Sequence, residues 1–93
     1  MEVLRGIKVR NMVSQHSGNE VRNQFIIETP KATIFQSYDT VIAAKMGGVI
    51  YLDEDSWDYS TTTGKYRNQF LHEGIAETRR KIEAGIYKLA KLN

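Results

Sequence analysis

The chain has 93 residues, 41% hydrophobic and 10% aromatic, with no cysteine and a formal net charge of +2. That length holds one domain, residues 1–93, whose modest core buries roughly two-thirds of the unfolded surface. The composition excludes a disordered chain, a disulfide framework, thiolate zinc sites and a cysteine nucleophile, and the even mixture of acids and bases argues against a strong nucleic-acid binder.

The opening segment, MEVLRGIKVRN, has no apolar run of signal-peptide length, and no stretch approaches the ~18 apolar residues of a membrane span. The expectation is a cytoplasmic protein without a membrane partner. Residues 3–13 read as a first strand, because Ile7 and Val9 alternate with Lys8 and Arg10. Gly6 within it marks a bulge or a close backbone approach. Arg5, Lys8, Arg10 and Arg22 face only Glu2 and Glu20 in this part of the chain. They make either a basic patch or ordinary solvated strand faces. Residues 14–20 are a polar loop carrying a solvated His16.

Residues 21–29 and 32–38 are rich in β-branched and aromatic residues and read as strands. Thr29-Pro30-Lys31-Ala32 joins them, with proline in the second turn position. If Thr29 opposes Ala32, Ile27 faces Ile34 and Ile26 faces Phe35. Apolar residues then fall on both faces, so this hairpin is expected to be central and partly covered on each side. Tyr38-Asp39-Thr40 breaks the pattern. Residues 41–45 and 49–53, on either side of a Met46-Gly47-Gly48 turn, form a second hairpin.

Asp53, Glu54, Asp55 and Asp58 then cluster. Their spacing is not that of an EF-hand loop, so they read as a solvated turn and no metal is assigned. Trp57 and Tyr59, two apart in an extended segment, are expected to lie on one side over the sheet. Thr61, Thr62 and Thr63 supply N-cap candidates for a helix of about ten residues ending near His72. Tyr66 and Phe70 share its inner face. Gly74 separates a second helix, residues 75–84, with Ile75, Thr78/Arg79 and Ile82 inward and an outward Glu77–Lys81 pair. Gly85 stops it, and the alternation around Lys88 makes a last strand. The fold class is therefore α+β: an antiparallel sheet of four to five strands, two short helices and a C-terminal strand.

The start of the first helix breaks a local rule. Helix N-termini favour acids, yet this first turn has three hydroxyls, a glycine and the cations Lys65 and Arg67. It either accepts a phosphate, sulfate or carboxylate, or its cations reach back to Asp55 or Asp58. Thr63-Gly64-Lys65 is not a P-loop, because Tyr66 stands where the metal-binding hydroxyl belongs and the earlier glycine is missing. No G-x-S-x-G elbow is present, and His72 reads as a capping residue. No enzyme and no cofactor are expected.

The blocks NQFIIET (23–29), FQSYDTVIA (35–43), VIYLDEDSWDYSTTTGKYRNQFL (49–71) and ETRRKIEAGIYKL (77–89) carry a resemblance. They resemble a family of small uncharacterised proteins encoded by bacteriophages and mobile elements. Its pattern pairs an N-Q-F-I-I strand and an F-Q-S-Y strand ending with W-D-Y-S-x-T-T-x-K-Y-R-N-x-F-L and a K-I-x-x-G-x-Y-x-L tail. The sequence departs from that tail at Ile86, where the family more often has a charged or polar residue. The resemblance implies an accessory factor that binds and masks a host protein, as anti-CRISPR and other counter-defence inhibitors do. It points to Ser60, Thr62, Thr63, Lys65, Tyr66, Arg67 and Asn68 as binding positions. Trp57, with Tyr66, Lys65 and Arg67, is the expected set of anchors. The competing expectation is a nucleic-acid- or nucleotide-binding protein using the Thr61–Arg67 helix start and the basic first strand. An exposed edge strand also allows a homodimer beside the monomer.

Overall fold

The computed structural model describes residues 5–93. Val3 and Leu4 of the expected first strand, and Glu2 of the charge balance, lie outside the described residues. Six strands form one sheet: β1 (Lys8–Val13), β2 (Glu20–Glu28), β3 (Ala32–Ser37), β4 (Thr40–Met46), β5 (Val49–Asp53) and β6 (Tyr87–Ala90). They lie side by side in chain order. β1 to β5 are antiparallel neighbours. Two helices, α1 (Thr61–Leu71) and α2 (Ile75–Glu83), connect β5 to β6, which pairs parallel to β5. A parallel pair needs such a crossover. The fold is α+β with one sheet and one helical layer.

Turn chemistry sets the register. Ile26 pairs with Phe35 and Ile27 with Ile34, the alignment that follows from Thr29 opposing Ala32. Thr29 anchors that turn through its backbone N–H and hydroxyl, both donated to the Ala32 carbonyl. Gly47 and Gly48, at φ 60° and 76°, form the two-residue turn between β4 and β5. Positive φ at both positions matches the twist of the flanking strands. Gly6 (φ 84°) serves a close approach: a Cβ there would stand 3.1 Å from Pro30 Cγ.

A β-bulge decides the middle of the core. Phe35 pairs with Ala43 and Gln36 with Val41, so Ile42 is an extra residue on β4. Bulging turns Ile42 and Ala43 both inward, and both are fully buried. With Met12, Ile26, Phe35, Leu52 and Tyr87 they make the sheet side of the core; Tyr66, Phe70 and Leu71 of α1 make the other. The Phe35 and Phe70 rings meet at 5.8 Å. The helices cover this face alone. The β2–β3 hairpin is central: the helices cover one of its faces, and on the other Ile27 and Ile34 are half-buried with no described element over them.

Two helical expectations are also corrected. The N-cap of α1 is Ser60, whose Oγ accepts from the Thr63 N–H at 3.1 Å; the three threonines are already helical. Thr63 is drawn inward instead, its Oγ1 3.0 Å from Ser37 Oγ. On α2, Thr78 is buried and Arg79 exposed, so the inner stripe runs through threonine. Glu77 pairs with Arg80 rather than Lys81, because Lys81 turns inward to Glu73 at 2.7 Å.

A groove beside the first helix

Residues 54–58 are turns, not an extended segment, so the alternation expected of Trp57 and Tyr59 does not apply. Trp57 packs against the core and Tyr59 is 51% exposed. The turns begin at Asp53, which is buried. Its carboxylate accepts from the Ser56 N–H and hydroxyl and from the Leu92 N–H. Burial pushes its pKa up, but these bonds outweigh burial and hold it below the usual carboxylate value. Glu54 pairs loosely with Lys91 at 3.8 Å. Asp58 pairs with Arg67 and Arg79. The four clustered acids thus part company. Among the described residues no group of three or more His, Asp or Glu stands close enough to hold a metal ion.

Arg67 organises the segment. Only 1% exposed, it lies beneath the turns that carry Trp57. Its Nη1 donates to the Trp57 carbonyl at 2.8 Å and to Asp58 at 3.3 Å, and its Nη2 donates to Asn68 Oδ1 at 2.9 Å. The guanidinium also lies 5.3 Å from the Trp57 ring. Of the two readings of this helix start, the reach of a cation back to Asp58 describes Arg67. Its planar fork suits three acceptors spread around one site, where a lysine could not serve all of them.

Above this frame lies an open groove of about 1030 Å³. The loop Asp58–Ser60, the outer side of α1, Gln15, and the α1–α2 junction at His72, Glu73 and Ile75 line it. The expected binding residues divide by depth. Ser60, Thr62 and Lys65 are exposed, and Asn68 is half-buried with its amide oxygen bonded to Arg67. Thr63, Tyr66 and Arg67 are buried, and Trp57 is half-buried. Tyr66 packs in the core and does not line the groove, whereas Arg67 borders it as a buried group whose donors are taken up by the loop, so neither projects from the surface as the expected anchors would. Burial follows from Tyr66 sharing a face with Phe70, a pattern visible in the sequence. Lys65 remains outward, with no carboxylate paired to it among the described residues.

Tyr59, Gln15, Gln69, His72 and Glu73 also border the groove, and sequence reasoning did not select them. Gln15 is brought in from the β1–β2 loop, which no local pattern foretells. Gln69 donates to the Val13 carbonyl at 2.7 Å, and Glu73 anchors a larger internal network. Its side chain, 7% exposed, accepts from Thr78 Oγ1, Lys81 Nζ and Tyr87 OH at 2.6–2.7 Å. Burial raises its pKa, but the three bonds and the Lys81 charge prevail and lower it. Burial and the same carboxylate push the Tyr87 phenol up. This network ties α2 and β6 to the end of α1. The basic first strand is partly neutralised, since Arg10 donates to Glu28 at 2.8 Å.

Residues 7–85 match the profile of a family of unknown function, DUF8033. The chain belongs to this family. Neither the curated proteins nor the solved structures contain a match. No helix among the described residues is long and apolar enough to cross a membrane.

Proposed function

We propose that the protein is a non-catalytic binding protein that covers a patch of a partner protein, with the groove beside α1 as its contact. The carrying observation is a pre-formed concave surface whose outward groups, Tyr59, Ser60 and Lys65, stand on a frame fixed by buried Arg67. Fixed polar groups around an open concavity bind at low ordering cost. The lining mixes both charge signs, with Lys65 and Asp58, and that suits a polar protein segment better than a phosphate backbone. The finer reading, a host defence protein as the partner and a counter-defence role, rests on the resemblance of the W-D-Y-S-x-T-T-x-K-Y-R-N core to phage and mobile-element proteins.

The test is capture from a bacterial lysate by tagged protein, with and without nuclease. Wild type is expected to retain a stoichiometric protein after nuclease. Tyr59→Ala/Lys65→Glu, two changes at exposed positions, is expected to lose it with its circular dichroism unchanged. Undiminished capture by the folded double variant would remove the groove from the account. Recovery of nucleic acid alone would replace the protein partner with a nucleic-acid one.

A further inference from the structure

Around the end of α1 from the groove lies a second concavity, a cleft of about 390 Å³ between the β1–β2 edge of the sheet and Phe70. Backbone pairing sets Arg10 beside Ile26 and Lys45 beside Thr33. Met12, Ile26 and Phe70, all members of the core cluster, give the cleft an apolar wall. Arg10, Thr33 and Lys45 give it polar groups, and among the described residues no aspartate or glutamate lines it. Small-molecule sites have this volume and this make-up, an apolar lining with a few convergent polar groups.

Lys45 is the unusual member. It is half-buried, its ammonium donating to the Phe70 carbonyl at 2.9 Å and lying 4.3 Å from the centre of the Phe70 ring. That bond satisfies one of the end carbonyls of α1 and accounts for one of the three N–H donors of the ammonium. No carboxylate among the described residues pairs with Lys45. Arg10, the other lysine or arginine of the lining, is paired with Glu28 at 2.8 Å. A charge drawn partly out of water costs free energy unless a counter-ion faces it. The cleft thus joins an apolar wall to one uncompensated cation with donors to spare.

We propose that this cleft binds a monocarboxylate with a compact apolar body. The body would rest on Met12, Ile26 and Phe70, and the carboxylate would accept charge-assisted hydrogen bonds from the Lys45 ammonium. One uncompensated cation calls for a single negative charge, whereas a phosphate monoester brings nearly two. The cleft meets the α1 groove at Gln15, Gln69 and His72, yet Tyr59, Ser60 and Lys65 do not line it. The site therefore stands apart from the proposed protein contact, and either can fail without the other.

Titration calorimetry of the full chain with octanoate tests it. Saturable one-to-one binding in the millimolar range or tighter is expected. Octanol, which lacks the charge, and acetate, which lacks the apolar body, should each bind roughly 10-fold more weakly or worse. Lys45→Met keeps an apolar stem and removes the ammonium; it should weaken octanoate by roughly 10-fold or more, and Lys45→Arg should restore most of the affinity. Amide NMR spectra of the wild type locate the site without a variant: octanoate should shift Met12, Lys45 and Phe70 ahead of Tyr59 and Lys65. Absence of saturable binding, shifts centred elsewhere, or octanol bound as tightly as octanoate overturns the proposal, as does a folded Lys45→Met variant with wild-type affinity. Tighter binding of octyl phosphate than of octanoate would overturn the choice of a carboxylate.

Discussion

Replacing Arg67 with methionine removes the guanidinium while keeping much of the volume. Three acceptors lose their donor: the Trp57 carbonyl, the Asp58 carboxylate and the Asn68 amide oxygen. Hydrogen bonds from a charged donor contribute about 1.5–3 kcal/mol each. The 3.3 Å contact to Asp58, itself 31% exposed, belongs at or below the low end. Against this, the buried Nε–H has no acceptor, so its removal returns part of its desolvation cost. The balance is a loss of about 3 kcal/mol, out of the roughly 5–15 kcal/mol that holds such a domain together. For a chain of this size that lowers Tm by about 12–24 °C. Urea unfolding followed by fluorescence is the natural assay, because the single tryptophan lies 5.3 Å from the guanidinium. The midpoint should fall with the slope unchanged. A loss below about 1 kcal/mol would refute the argument that Arg67 fastens the loop to α1. Full stability with abolished partner capture would instead return Arg67 to the binding surface.

Glu73→Gln should cost about 2 kcal/mol at neutral pH, since a charged acceptor of three hydrogen bonds becomes a neutral one. The folded pKa of Glu73 lies below its ordinary 4.5, so its stabilisation is full above that value and fades as pH falls through the folded one. The wild-type and variant midpoints should therefore converge on acidification; a constant gap would contradict the linkage. Tyr38 opens the two-residue β3–β4 turn at φ 56°, where glycine is preferred, and its side chain is 55% exposed. Tyr38→Gly should leave stability equal or raise it by up to about 1 kcal/mol, relief of backbone strain outweighing the added unfolded-state entropy. A loss of 1 kcal/mol or more in thermal unfolding would show that the ring contributes packing. Gly64 lies inside α1, and a Cβ there would meet the Arg67 guanidinium at 3.6 Å, an ordinary contact. Gly64→Ala should add about 0.5–1 kcal/mol by helix propensity, checked by the same unfolding curves.

What the sequence discloses and what it conceals divide along the range of the interaction. The Gly47-Gly48 turn, the Thr29–Ala32 register and the ends of both helices are set by residues adjacent in the chain, and each is legible there. The N-cap differs by one residue because Thr63 has a competing attraction: the hydroxyl of Ser37, 26 positions away, draws it into the core. Lys81 prefers Glu73 to the neighbour that helical spacing offers, because Glu73 is buried beside Tyr87 and needs donors. Ile42 appears to the period of two as an outward residue, and only the pairing of β4 with β3 reveals the bulge that buries it. Depth is the most concealed property. Arg67 and Lys65 have the same charge two positions apart on one helix, yet one is buried and the other exposed. The Trp57 carbonyl and Asn68 amide make the difference, and neither is announced by composition.

The two apolar faces of the β2–β3 hairpin show how the chain's topology decides which face of the sheet is covered. Ile26 and Phe35 occupy one face, Ile27 and Ile34 the other. A strand pattern of this kind belongs to a sheet covered twice. The chain has only two short helices after β5, and the crossover to β6 commits both to the same face. No described residues are left to form a second layer over Ile27 and Ile34. Ile27 and Ile34 are therefore half-buried, shielded by their neighbours within the sheet and not by a second layer of described elements.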